Sequence, residues 1–82
     1  MIADIGVSDV VRHFKGNLYQ IIAFGQQSKT GEKEVIYQAL FPPFSVWVRP
    51  FDNFMAEVDH EKYPEVKQKY KFEVLTKAEL FA

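Results

Sequence analysis

The stretch LYQIIAFGQQSKTGEKEVIYQALF, residues 18–41, decides how this chain folds. It holds two apolar runs, LYQIIAFG and EVIYQALF, joined by a polar connection that includes Gly25 and Gly31. Short apolar runs bounded by turn residues are typical of buried strands, and this kind of connection predicts an antiparallel hairpin. Regular alternation along the first run would place Leu18, Gln20, Ile22 and Phe24 on one face and Tyr19, Ile21 and Ala23 on the other.

The segment that follows the hairpin predicts a third strand and then a short helical turn. The Pro42-Pro43 pair lacks backbone donors and ends the second strand. FSVWV, residues 44–48, then has strand character up to Pro50. FDNFMAEV, residues 51–58, fits one helical or 3₁₀ turn, with Asp52 or Asn53 as a cap and with three apolar residues facing inward, Phe51, Phe54 and Met55.

The flanking segments complete the pattern. VSDVVRHF, residues 7–14, suits either a helical turn capped by Ser8 or Asp9 or a strand, and its valines favour the strand. The charged residues 59–69 predict an exposed connection, after which KFEVL predicts a final strand. At the C-terminal end, Thr76 and Glu79 have the spacing of a capping box for a short helix.

These elements predict an all-β, mainly antiparallel fold. Several short strands, one helical or 3₁₀ turn after WVRP and the lack of a long amphipathic helix favour a small SH3-like barrel or roll. Closure of the sheet would also hide its edges. We expect one domain over residues 1–82, with a core at 8–58, a charged connection at 59–69 and the final strand and C-terminal end at 70–82.

Composition narrows the class of protein. The 82 residues are 48% hydrophobic and 16% aromatic, which is enough for a small folded core. The absence of cysteine excludes disulfides and cysteine-ligated zinc and indicates a reducing, cytoplasmic setting. No apolar run is long enough to span a membrane. The net charge of −1 argues against a nucleic-acid or anionic-membrane partner, although the hairpin ends carry four basic residues: Arg12, Lys15, Lys29 and Lys33.

Four segments together resemble a known family. RHFKGNLYQII, SKTGE, VIYQAL and WVRPFDNFMAEV have the order and spacing of a bacterial family of small domains of unknown function with an RHFKG and WVRP signature. The resemblance covers residues 8–58, with a weaker match at YKFEV. The chain departs from the family pattern at Gln27, where the family usually has histidine, and at Phe41-Pro42, where it has Tyr-Gly. The resemblance implies a compact domain and no particular activity.

Residues for catalysis, metal binding or cofactor binding are sparse. His13 and His60 are the only histidines, and the glycines are too dispersed to form a phosphate-binding loop. None of the hydroxyl residues lies in a motif that would activate a nucleophile. We therefore predict no cofactor, no metal and no catalytic residues, and the sequence does not favour an enzyme.

The WVRP segment offers a binding surface instead. In a strand, Val46 and Val48 share one face while Trp47 and Arg49 share the other. If the valines face the core, the indole and guanidinium form a stacking platform beside a cation; the alternative is that Trp47 fills the core. The predicted binding residues are Arg12, His13, Tyr19, Tyr37, Trp47 and Arg49.

Three functional hypotheses follow. The first is a non-enzymatic binding or adaptor module whose partner is a protein or peptide rather than nucleic acid. The second is a self-associating structural protein that forms a homodimer through Phe41, Phe44 and Phe51. The third is a small hydrolase, or a subunit of a catalytic assembly, in which His13 is the base and lies beside Ser28 or Thr30.

Overall fold

The computed structural model describes residues 5–81, and its centre is one antiparallel sheet of five strands. The strands are β1 (Val10–His13), β2 (Leu18–Gln26), β3 (Lys33–Ala39), β4 (Val46–Pro50) and β5 (Phe72–Val74), and two short helices accompany them, α1 (Phe51–Phe54) and α2 (Lys77–Phe81). The strands lie side by side in the order β4-β3-β2-β1-β5. The predicted antiparallel all-β fold with a short helix after WVRP is confirmed.

Two hairpin turns of the sheet each rest on a glycine with positive φ. In the β2–β3 connection Gly31 has φ 73° and its N–H donates to the carbonyl of Gln27 at 2.7 Å. In the β1–β2 corner Gly16 has φ 106° and its N–H donates to the carbonyl of His13 at 2.7 Å. A side chain at either position would be strained, since L-residues rarely adopt this backbone region. The strand alternative for residues 7–14 is confirmed by β1.

A β-bulge interrupts β2. Ile21 pairs with Tyr37, whereas Ala23 pairs with Ile36, so Ile22 is an extra residue in the ladder. After the bulge Phe24 pairs with Val35 and lies on the same face as Ile21. The face assignment expected from regular alternation is therefore wrong for Ala23, which pairs with Ile36 on the face opposite Ile21, and for Phe24. Phe24 turns toward Phe51 at a ring distance of 6.5 Å.

The core lies between one face of the sheet, called here the core face, and α1 with the residues that follow it. Phe54 of α1 and Phe72 of β5 are fully buried and stack with a 4.1 Å centroid separation. Tyr37 meets both rings edge-on, at 5.3 and 5.7 Å. Such tilted and offset ring contacts stabilise a core beyond the area they bury. The remaining buried hydrophobic residues are Val11, Ile21, Val35, Ala39, Met55, Val58 and Leu75.

The other side of the sheet, called here the open face, exposes apolar side chains at its β4 edge. Val46 and Val48 are 56% and 58% exposed. Among the described residues no ladder joins β4 to β5, so the sheet keeps two edges and the barrel or roll description is only approximate. A single bridge between Glu57 and Tyr70 draws the two ends of the charged connection together.

Hydrogen bonds from side chains hold the connection and the C-terminal helix. The Gln68 side chain donates to the carbonyls of Tyr70 at 2.7 Å and Arg12 at 3.3 Å, which fastens the connection to β1. Thr76 and Glu79 form the predicted capping box, because each backbone N–H donates to the other side chain, at 3.0 and 3.2 Å. Within residues 5–81, neither helix has the length and apolar character needed to cross a membrane.

Candidate functional site

A pocket of about 340 Å³ opens on the core face beside the edge strand β4. It adjoins the core, because the buried residues Tyr37 and Ala39 belong to its lining. Its lining comes from β2, β3, β4 and the loop between the last two: Tyr19, Tyr37, Ala39, Phe41, Pro43, Ser45, Trp47 and Arg49. The pocket is therefore a direct continuation of the aromatic core.

Aromatic side chains form the walls of the pocket. Tyr19 meets Tyr37 edge-on at 5.4 Å and Phe41 at 5.5 Å. Trp47 pairs with Tyr37 across the ladder, which places the indole on the same face. Tyr37 is only 5% exposed, whereas Trp47 is 53% exposed. The walls thus run from a buried tyrosine that is fixed by the core to a tryptophan that a ligand can reach.

Arg49 supplies the cation of the pocket, and its side chain is held in place. Its Nε donates to the hydroxyl of Tyr37 and its Nη1 to Oδ1 of Asn53, both at 3.1 Å. The guanidinium carbon lies 5.2 Å from the ring centroid of Phe72, a cation–π distance. Among the described residues no carboxylate lies within ion-pair distance of Arg49. A fixed guanidinium with donors to spare can bind a carboxylate or another anion.

The structure brings four of the six predicted binding residues into this pocket: Tyr19, Tyr37, Trp47 and Arg49. The orientation of β4 differs from the one that would make an external platform, because Trp47 and Arg49 share the core face while Val46 and Val48 lie on the open face. Trp47, which belongs to an edge strand, nevertheless stays accessible to solvent.

His13 lies on the core face but outside the pocket lining. Its ring meets Phe72 edge-on at 5.0 Å, and its Nδ1 accepts the N–H of Lys15 at 3.1 Å. Burial lowers the pKa of His13 to about 4, and nearby positive charges add to this effect, those of Arg49, Lys15 and Lys71. At neutral pH the imidazole is therefore uncharged, and Arg49 is the charged group next to Phe72.

Arg12 is not part of the pocket. It pairs with Leu18 and Glu73 across the ladders, and alternation along β1 places it on the open face, away from His13. Nearby in sequence, the Asp9 carboxylate accepts the N–H of Gly6 at 2.8 Å.

Asn53 is the functional residue that sequence reasoning assigned differently. It was expected to cap α1, yet this helix has no side-chain cap, and the Asn53 amide oxygen accepts from Arg49. The four-residue spacing between Arg49 and Asn53 is the sequence feature that points to their hydrogen bond. It becomes informative only once α1 is known to begin directly after β4.

The structure does not place His13 beside Ser28 or Thr30, as the hydrolase hypothesis expected. His13 lies beside the start of β2, whereas Ser28 and Thr30 follow its end at Gln26. The eight residue steps of β2 correspond to about 26 Å, so the imidazole is far from both hydroxyls. Across the part of the chain that the structure describes, no three histidine, aspartate or glutamate side chains converge on a point where a metal could bind.

Comparison with known proteins identifies a family but no activity. The model of a family described as a protein of unknown function, DUF1653, matches residues 9–74. No curated protein and no solved structure matches the chain significantly. The resemblance inferred from the sequence is confirmed at the level of this family, and the pocket has to be interpreted from its own chemistry.

Proposed function

The chain belongs to the DUF1653 family of proteins of unknown function, and we propose that it is a non-enzymatic recognition module that binds a peptide segment of another protein. The pocket would accept an acidic side chain at Arg49 and an apolar or aromatic side chain between Tyr19 and Trp47. Aromatic walls with a few well-placed polar groups are the usual composition of binding pockets.

The observation that carries this proposal is the fixed and uncompensated charge of Arg49. A side chain as long as arginine normally loses rotamer entropy when it binds a ligand. Here Tyr37 and Asn53 already hold the guanidinium, so an incoming carboxylate meets a group that is preorganised. The pocket also lies next to Phe72, and the face of that ring supports the cation.

The charge of the pocket and its apolar walls favour a peptide ligand over a nucleic acid. The four basic residues near the hairpin ends do not line the pocket, which has Arg49 as its only cation. One cation can pair with one carboxylate, whereas a nucleic-acid backbone needs a row of cations to bind appreciably. The apolar walls are suited to a side chain of a peptide next to its acidic group.

Titration of the fluorescence of Trp47, the sole tryptophan, tests the proposal. We expect saturable changes with short peptides that contain glutamate and phenylalanine, and about tenfold weaker binding when glutamine replaces the glutamate, because a charge-assisted hydrogen bond is lost. The variant Arg49→Gln should bind as weakly as the wild type binds the glutamine peptide. Lys69→Gln is the matched control, because Lys69 pairs with the exposed Glu57 outside the pocket. Equal binding of glutamate and glutamine peptides would contradict the proposal.

Self-association is the second candidate, and the exposed apolar residues around β4 favour it. Phe44, Val46, Trp47 and Val48 are each more than half exposed. The three phenylalanines expected at a dimer interface are divided, because Phe41 lines the pocket while Phe51 packs beside Phe24. We propose that any dimer forms through the β4 edge together with Phe44. Sedimentation equilibrium at micromolar concentration tests this, and a monomer at all concentrations would exclude it.

A further inference from the structure

The edge strand β4 has unpaired backbone groups whose positions can be deduced. The N–H of Ala39 donates to the carbonyl of Ser45 at 2.9 Å, so these two residues form a hydrogen-bonded pair. In an antiparallel ladder such pairs alternate with non-hydrogen-bonded ones. Trp47 and Arg49 therefore direct their backbone groups toward β3, and Val46 and Val48 direct theirs away from the sheet.

Pro50 provides an independent check of this assignment. It follows Val48 by two residues, so the same alternation directs its nitrogen outward. Proline within a sheet is tolerated where its nitrogen faces away from the ladder, because no hydrogen bond is lost there. The outward donors of β4 are thus the N–H groups of Val46 and Val48, and Pro50 marks the end of the available edge.

The side chains of the same strand divide between two surfaces. Trp47 and Arg49 line the pocket on the core face, whereas Val46 and Val48 lie exposed on the open face. A strand added beside β4 would place its residues opposite these four, with the same alternation. Its backbone would pair with the two valines while alternate side chains enter the pocket.

We propose that the acidic peptide segment binds as an added strand, antiparallel to β4, with the pattern acidic, β-branched, aromatic, β-branched from its N-terminal side. The acidic residue lies opposite Arg49 and the aromatic residue opposite Trp47, two positions apart because Arg49 and Trp47 are two apart. The β-branched residues lie opposite Val48 and Val46 and cover the apolar edge of the open face. Strand addition of this kind obtains affinity from the main chain and specificity from alternate side chains. The inference rests on the proposed function and specifies its mode of binding.

Charge complementarity selects a foreign acidic segment over a second copy of this chain. Two copies of β4 could pair antiparallel through their outward backbone groups. The stretch from Pro43 to Phe51 contains no acidic residue, however, so in every such register Arg49 would face either an uncharged residue or the Arg49 of the other copy. Only a partner that brings its own carboxylate satisfies the guanidinium, which has no acidic partner among residues 5–81.

Four peptides test the mode of binding on the full chain by Trp47 fluorescence. The parent is Thr-Glu-Val-Phe-Val-Thr with blocked ends, and the second is its order-reversed form, Thr-Val-Phe-Val-Glu-Thr. The third carries an N-methyl group on the valine that follows glutamate, whose N–H would donate to the carbonyl of Val48. The fourth carries the N-methyl group on phenylalanine, whose N–H would point to solvent, and is the matched control.

We expect the parent and the fourth peptide to bind within about threefold of each other. The second and third should bind at least about tenfold more weakly. The second can no longer place its glutamate and phenylalanine opposite Arg49 and Trp47, respectively. The third loses a backbone hydrogen bond, and its methyl group keeps the peptide from approaching β4 closely. Equal binding of all four would overturn strand addition while leaving the recognition pocket in place. Weaker binding of the parent than of its reversed form would overturn the antiparallel direction. Failure of every peptide to bind would reject the proposed function itself, and a stable dimer that the parent does not dissociate would show that a second copy occupies the edge.

Discussion

His13 is held as a neutral residue inside an aromatic cluster. Its ring lies 4.4 Å from that of Phe14 and 5.0 Å from that of Phe72, so protonation would place a charge among apolar groups. Burial and the neighbouring cations keep its pKa near 4. In the unfolded chain a histidine takes up its proton near pH 6.5. The folded and unfolded states therefore bind different numbers of protons between these two values.

The unfolding free energy should fall as the pH is lowered from 6.5 toward 4, because the unfolded state binds more protons in this range. Above pH 6.5 the imidazole of His13 is neutral in both states, so its stabilising contribution to the unfolding free energy is fully present there. Urea denaturation at pH 7.0, 6.0 and 5.0 measures the change, and His13→Gln should show a smaller dependence on pH than the wild type. His60→Gln serves as the control, since His60 lies exposed in the connection. An equal pH dependence for wild type and His13→Gln would contradict the prediction.

Phe44 adopts a backbone conformation that suits its side chain poorly. Its φ is 61°, in the left-handed region, and its ring is 52% exposed beside the pocket. This region costs an ordinary L-residue about 1–2 kcal/mol, whereas asparagine visits it readily. Phe44→Asn should therefore raise the unfolding free energy by about 0.5–1 kcal/mol. Phe44→Ala is the matched control, because it removes the ring and keeps the strain, and a gain as large in that variant would exclude the backbone explanation.

At the scale of single residues, sequence reasoning identified Tyr19, Tyr37, Trp47 and Arg49 as neighbours. Alternation along a strand is a local property, so the sequence can predict which side chains share a face. Whether that face meets the core depends on where α1 lies, and the local sequence pattern carries no information about the position of α1. The contact between Arg49 and Asn53 depends on the same tertiary arrangement.

Among the elements, the three-residue strand β5 contributes far more than its length suggests. Its Phe72 is fully buried and contacts His13, Tyr19, Tyr37, Phe54 and Arg49. The ring thus connects the far edge of the sheet to α1 and to the pocket. Removal of Phe72 would leave a cavity at the junction of all three.

Phe72→Ala should lower the unfolding free energy by about 3–5 kcal/mol, the usual cost of removing a buried phenylalanine. This loss is comparable to the total stability of a small domain. Denaturant unfolding with Phe44→Ala as a surface comparison measures it, and the surface variant should change by about 0.5 kcal/mol or less. A loss below about 1 kcal/mol in Phe72→Ala would show that the site collapses around the missing ring.

The elements themselves were predictable, while the bulge in β2 was not. Strands, turns and the capping box follow from runs of apolar residues, glycines with positive φ and the spacing of Thr76 and Glu79. The residues on both sides of the bulge are apolar, so a change of face leaves no trace in the hydrophobic pattern. The ladder against β3 was needed to locate it at Ile22.

For the molecule as a whole, basic residues are divided between opposite ends of the β2–β3 hairpin. Arg12 and Lys15 lie near the start of β2, and Lys29 and Lys33 lie beyond its end, roughly 26 Å away at the rise of a strand. Lys33 also makes a cation–π contact, because its ammonium nitrogen lies 4.2 Å from the ring centroid of Phe51. With a net charge of −1, no surface of concentrated positive charge results from these four residues.

We expect no appreciable binding of unmodified duplex DNA or RNA at physiological salt. The four cations lie at two ends, so no more than about two phosphates are neutralised at once, which gives a log-log salt slope of about 2. A fluorescence titration with a labelled duplex at near-physiological and at low salt measures both affinity and slope. Micromolar or tighter binding with a steep salt dependence would show that another surface gathers positive charge.

Closure of the sheet is the part of the architecture that sequence reasoning could only approximate. The number of strands and their order along the chain follow from local signals, whereas closure depends on tilt and stagger between strands. Here the sheet stays open, and its β4 edge is limited by Pro50 instead of being covered by β5.

The bulge at Ile22 also defines where this fold tolerates a change of length. The ladder already carries one residue more than its partner strand at this point, and that residue is 40% exposed. Deletion of Ile22 would keep Ile21 and Phe24 on the core face, because Ala23 would simply take the intervening position. Deletion of Gln20 would instead reverse the facing of the residues on one side of the gap. A chain one residue shorter at position 22 can therefore keep the same side chains on its core face.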